Sequence, residues 1–186
     1  MIDDNLRADA RENKERILKV AQKALVADPG ASLNSIAKAA GVGPGTLYRH
    51  FPNRESLVLE VYRQEIDELA ALAPVLLTQH PPLQAFRLWC DRLAQFGRMK
   101  HGVADIINTG KSDKDFQGTY KPILGAVRQL MDVCEASGEI LPGSNSEDFL
   151  MLMGFMWRLP LNSAGEERTK RLMALIFRGL GASDSI

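Results

Sequence analysis

The stretch from Ser32 to Arg54 reads SLNSIAKAAGVGPGTLYRHFPNR, with two sets of apolar positions at helical spacing on either side of a glycine-bearing turn. Leu33, Ile36, Ala37 and Ala40 form one inward stripe, and Leu47 and Phe51 form the next. Ser32 predicts an N-cap for a helix running to about Ala40, and Gly41 suits the left-handed residue that closes it. Val42 plugs the turn. Pro44 fits the first position of a further helix ending near Phe51. Pro52 then breaks the chain, and Asn53 caps a helix that starts at Arg54. Upstream, Ile17, Val20, Ala21, Ala24 and Leu25 share one face of a first helix from about Glu12 to Ala27, stopped by Asp28-Pro29-Gly30. Residues 1–10 read as a frayed arm.

Beyond Arg54 the period persists through Leu57, Val58, Val61, Tyr62, Ile66 and Leu69, farther than three helices can cover. This fourth helix, to about Leu72, reads as a connector. Pro74 and Pro81-Pro82 mark the passage to a second helical region, with helices expected near 82–99, 101–109, 116–137, 145–159 and 165–180. Pro122 should kink or split the third of these. No β alternation, repeat or low-complexity tract interrupts the pattern. The fold class is therefore all-α, with a helix-turn-helix unit (residues 10–70, motif 32–51) ahead of a helical domain over 75–186.

The second helix of the motif puts Thr46, Tyr48, Arg49 and His50 on or near one solvent-facing surface. Donors to phosphates and base edges, carried on a helix held by a small apolar core, are what major-groove recognition requires. The chain has 186 residues, 45% apolar and 25% charged, with a net charge of zero. That balance argues against binding DNA mainly by nonspecific charge. Residues 1–63 carry 10 Lys/Arg against 8 Asp/Glu, whereas residues 64–186 carry 13 against 15. The small basic excess lies in the half with the motif. Lys14, Arg16 and Lys19 read either as a phosphate-facing edge or as a solvated charged face interleaved with Glu12 and Glu15.

No apolar run is long enough for a membrane span, and the N-terminus lacks the apolar core of a signal peptide, so a cytoplasmic protein is expected. Cys90 and Cys134 sit in apolar helical patterns and read as buried reduced thiols; a switch disulfide would need them to be neighbours. His50, His80 and His101 show no ligand spacing, and neither a metal nor a cofactor is expected. No nucleophile elbow, phosphate loop or metal-ligand helix supports an enzyme.

Residues 12–70 resemble the DNA-binding domain of the TetR family of transcriptional repressors. The resemblance rests on Ile17-Leu18, Ala21, Ser32, Ile36-Ala37, Ala40-Gly41-Val42, Thr46-Leu47-Tyr48, His50-Phe51, Asn53-Arg54-Glu55 and Leu57, without insertions. It implies an all-helical homodimer that binds a palindromic operator and is released by a small molecule bound in the C-terminal domain. It also implies a DNA-contacting set. Ser32 would cap its helix and touch a phosphate. Pro44, Gly45, Thr46, Tyr48 and Arg49 would lie at the major groove, Tyr48 and His50 would bind phosphates, and Arg54 would stand where a lysine is usual. Gly43 departs from the family's usual polar cap, which shifts base reading towards Thr46, Tyr48 and Arg49; for Arg49 a phosphate clamp is the competing role.

The C-terminal half resembles one subgroup of actinobacterial-type regulators, from Trp89 through Lys100-His101-Gly102, Ala136 to Ile140, Glu147-Asp148 and the Trp157 region. The helix near 145–159 is apolar nearly all round, and the last helix adds Leu172, Met173, Leu175, Ile176, Phe177 and Leu180. These two helices are the expected dimer seam, as an intermolecular four-helix bundle. Candidate effector-lining residues are Phe86, Trp89, Phe96, Met99, Ile106, Tyr120, Leu124 and Met153, a set poor in charge that points to a largely apolar effector. The alternative is an activator or adaptor with the same reading head and no small-molecule effector.

Overall fold

The computed structural model describes residues 2–102, 113–155, 159–160 and 162–182; side chains are described within these except at 2–10, 98–102, 113–119 and 155. Eight helices make up the described chain, with no strand among the described residues. They are α1 (Ile2–Ala27), α2 (Leu33–Ala39), α3 (Pro44–His50), α4 (Arg54–Gln79), α5 (Pro82–Gly102), α6 (Asp113–Ala136), α7 (Ser146–Phe155) and α8 (Ser163–Gly179). The residues fall into two compact units that divide within α4, between Gln64 and Glu65.

The first unit packs α1, α2 and α3 against one another. Ile17, Ala21 and Leu25 of α1, Ile36 and Ala37 of α2, and Leu47 of α3 are all buried, with Phe51 and Leu57 beside them in sequence order. The expected frayed arm is instead helical, because α1 begins at Ile2. Extending a helix already nucleated by the 12–27 segment needs no new nucleus.

The second unit closes around α5, whose buried Phe86, Trp89, Cys90, Leu93 and Phe96 recur every three or four residues. The Phe86 ring lies 5.0 Å from Phe149 of α7 and 5.2 Å from Phe177 of α8, the latter edge-on. The Arg87 guanidinium covers Phe177 at 4.4 Å. The Trp89 indole N–H donates to the Leu69 carbonyl at 2.8 Å, so a buried ring carries no unmet donor. The end of α8 is tied back by the Leu141 N–H donating to the Leu180 carbonyl at 2.8 Å. Gly181 follows with φ +76°, and a Cβ there would meet the Leu141 side chain at 2.4 Å.

Three helix limits differ from the sequence expectation. Helix α4 runs through Pro74 to Gln79 instead of stopping near Leu72. Pro74 and Val75 face solvent while Ala73 and Leu76 are buried, so the backbone bond that proline forfeits lies on the wet side of the helix. Pro122 does not split α6, which continues from Asp113 to Ala136 with Ile123, Val127 and Leu130 buried on one face. The helix expected over 101–109 is replaced at its start by the end of α5, to which His101 and Gly102 belong; residues 103–112 lie outside the described residues. The helix expected over 145–159 is described as far as Phe155, and Trp157 lies outside the described residues.

Both thiols are buried and free. Burial pushes Cys90 well above its ordinary range and Cys134 up to about 12. The thiol form, which is the poor nucleophile, therefore prevails at neutral pH. A thiol-labelling disulfide reagent at pH 8 should modify neither residue in the native protein and both in denaturant; rapid native labelling of either would contradict this packing.

Candidate nucleic-acid interface

Helix α2 is set by its cap. Ser32 has φ −81° and ψ 153°, and its Oγ accepts from the Ser35 N–H at 3.1 Å while the Ser35 hydroxyl donates back to the Ser32 carbonyl at 2.7 Å. Ser32→Ala should cost about 1 kcal/mol of unfolding free energy and Ser32→Gly only a few tenths, read from urea denaturation. A loss on alanine no larger than on glycine would remove the cap from the account.

The turn follows from Gly41, whose φ of +66° is the left-handed conformation that closes α2. The Val42 N–H donates to the Ala37 carbonyl at 3.0 Å, folding the chain back towards α2. Helix α3 then starts on Gly43, which offers no side-chain cap, with Pro44 in its first turn. Two positions hold α3 down: Leu47 is wholly buried and Phe51, its C-cap, nearly so. That anchoring turns Pro44, Gly45, Tyr48 and Arg49 outward, and all four are exposed; Thr46 and His50 are half-buried beside them. Tyr48 is 46% exposed, so it is not a core aromatic. The Arg49 Nε donates to the Gly45 carbonyl one turn back at 3.3 Å, which lays its stem along the helix surface.

The flanking charged groups sort themselves by partner. Lys14 is paired with Glu60 at 2.5 Å, and Arg63 approaches the same carboxylate at 3.6 Å. The hydrogen bond from Lys14 is the main reason the Glu60 carboxyl titrates below its ordinary range. Arg16 is engaged with Asn13, and Lys19 is exposed. Lys14 thus ties α1 to α4. Arg54 donates to the Pro29 carbonyl, fastening the start of α4 to the loop after α1. The Asn53 side chain caps that start, accepting from the Ser56 N–H at 2.8 Å.

An exposed face of this composition, on a helix anchored behind a left-handed glycine turn, has the form that major-groove recognition requires. Residues 28–61 match the family described as bacterial regulatory proteins, tetR family, and residues 81–182 match the C-terminal domain described as transcriptional regulator SbtR-like. The chain belongs to the TetR family. That family is one of DNA-binding transcriptional regulators and not of enzymes.

Among solved structures it is similar to a TetR transcriptional regulator from Streptomyces coelicolor, with 32% identity, TM-score 0.78, and coverage of 90% of this chain and 97% of that one. It is also similar to a TetR transcription regulatory protein from Mycobacterium vanbaalenii, with 25% identity, TM-score 0.75, and coverage of 94% and 98%. An HTH-type transcriptional regulator of Staphylococcus aureus (strain USA300) is 31% identical over 115 residues, which span 60% of this chain and 62% of the relative. The chain thus spans about three-fifths of the length of the curated relatives it matches.

In the second unit the expected effector-lining residues divide. Phe86, Trp89, Phe96 and Met153 are buried, with Phe86 packed on two rings and Trp89 hydrogen-bonded as described above. Tyr120 and Leu124 are half-buried on α6, and the Tyr120 phenol is raised above its ordinary value by burial and by the nearby Glu147 carboxylate. The side chain of Met99 and the whole of Ile106 lie outside the described residues. Sequence reasoning missed one polar pair here. Glu65 is 3% exposed and accepts from the Arg92 guanidinium at 2.8 Å. Its signal was present: Val58, Val61, Tyr62, Glu65, Leu69 and Ala73 form one stripe of α4, so the carboxylate stands in an apolar row.

No helix among the described residues is long and apolar enough to cross a membrane, and no group of three His, Cys, Asp or Glu among them could hold a metal ion.

Proposed function

We propose that the chain is a homodimeric, cytoplasmic repressor that binds a palindromic operator and leaves it when a small molecule occupies the second unit. The observation that carries the reading is the α3 face: Pro44, Gly45, Tyr48 and Arg49 exposed over buried Leu47 and Phe51. Thr46, Tyr48 and Arg49 supply base contacts, and Ser32, His50 and Arg54 supply phosphate contacts.

Two copies are supported by apolar side chains that the single chain leaves in water: Met151 (76% exposed) and Leu152 (57%) on α7, and Leu175 (56%) on α8. Side chains of this size, exposed on the last two helices, suit an isologous seam. A two-fold pair sets half-site spacing by geometry, so a ligand that favours a different spacing removes operator affinity without touching the reading head.

The test is selection of bound DNA from a random pool at physiological salt, followed by a screen for compounds that release the selected site. Enrichment of a two-fold symmetric sequence is expected. A flat selection, or a site bound by one copy, would overturn the reading.

A further inference from the structure

Among the described residues Glu65 is the one buried charged side chain, and its Oε1 accepts no hydrogen bond from any of them. The Arg92 contact is one-sided, from Nη2 to Oε2, and leaves the second oxygen unmatched. The pair lies on the α4–α5 seam of the second unit. Leu69, one turn on from Glu65, accepts the Trp89 indole N–H, and Trp89 lies one turn before Arg92. The Trp89 donor is therefore already spent. Buried polar atoms in folded proteins nearly always have a partner, and a bare carboxylate oxygen is the costliest to leave without one.

We propose that Glu65 Oε1 is the recognition point for the effector, and that the effector is an apolar, aromatic-sized molecule carrying one neutral N–H or O–H donor. The inference rests on the reading of the second unit as the effector domain. Neutrality follows from charge: Arg92 already balances the carboxylate, so a cationic ligand would leave one uncompensated positive charge in a buried site. Trp89 and Phe96, about one turn to either side of Arg92 on α5, are both buried and make that strip of the helix apolar. Arg92, itself about one-third exposed, is a positioning residue that holds the carboxylate.

The test uses the full chain and three probes that share one phenyl ring: phenol, which has a donor; anisole, which lacks it; and phenyltrimethylammonium, a cation without a donor. Binding is followed by ligand-observed magnetic resonance at millimolar probe concentrations. Phenol should bind roughly tenfold or more tightly than anisole, the value of one hydrogen bond to a charged acceptor. The cation should bind no better than anisole. In Glu65→Leu the phenol preference should vanish, and in Glu65→Gln, which keeps the shape and an acceptor, part of it should return.

Equal binding of phenol and anisole, binding of neither, preference for the cation, or a phenol preference unchanged in Glu65→Leu each overturns the proposal. A purely structural Glu65 would lower the melting temperature of the variant and leave the phenol-to-anisole ratio alone. The regulatory reading fails separately: if phenol binds through Glu65 but the selected operator is held regardless of any compound, the site stands and ligand-controlled release does not.

Discussion

Phe86→Ala should lower the unfolding free energy by about 3–5 kcal/mol, among the largest losses expected from a substitution in the second unit. Phe86 is wholly buried and packs on Phe149 and Phe177, so three helices lose contact through one truncation. The cavity term should be near its full size, because a ring held between two rings on different helices cannot be replaced by a small local shift. Native stabilities are of the order of 5–15 kcal/mol, so the variant should approach the limit of folding. Chemical denaturation followed by circular dichroism reads the effect. Leu152→Ala is the control: as an exposed residue of one chain it should change stability by less than about 0.5 kcal/mol. If Leu152 is covered by a second copy, its loss grows as protein is diluted through the dimer dissociation range. A Phe86→Ala loss under about 1 kcal/mol would mean that the aromatic cluster is loosely packed.

The contrast between those two residues shows what could be read from the chain and what could not. The helix-turn-helix was legible because its determinants are local. Ser32 caps, Gly41 takes the left-handed turn, Pro44 opens α3, and Leu47 with Phe51 marks the inward side; each is a property of a residue and its near neighbours. Proline misled for the same reason. Pro74 and Pro122 carry local penalties, yet both helices continue, since burial of Ala73 and Leu76 in one and of Ile123 and Val127 in the other outweighs a lost hydrogen bond.

The second unit was legible as apolar helices, but which helices meet is a nonlocal matter. Periodicity shows that Phe86 faces inward and does not show that Phe149 and Phe177 meet it there. Glu65 lies between these cases. A carboxylate in an apolar stripe is visible in the sequence, whereas its pairing with Arg92 across 27 residues needs the fold.

The same division separates holding DNA from reading it, and Arg49 is where the two can be told apart. It is exposed on α3, its stem laid along the helix by the contact to the Gly45 carbonyl, and the bare Gly43-Pro44-Gly45 start leaves few other side chains of comparable reach. As a base reader, Arg49→Ala should weaken operator binding by about 1–3 kcal/mol per half-site, and relax the preference at one or two base pairs of the selected sequence. A two-fold dimer meets that loss twice, which makes this the largest functional effect expected from one substitution. As a phosphate clamp, Arg49→Ala would instead weaken operator and random DNA alike and lower the salt slope by about one. Titrating both DNAs across a range of salt separates the two outcomes. Because Arg49 is exposed and Leu47 beneath it is untouched, the variant should keep the stability of the parent. An affinity loss can then be assigned to contact chemistry rather than to a disturbed reading head.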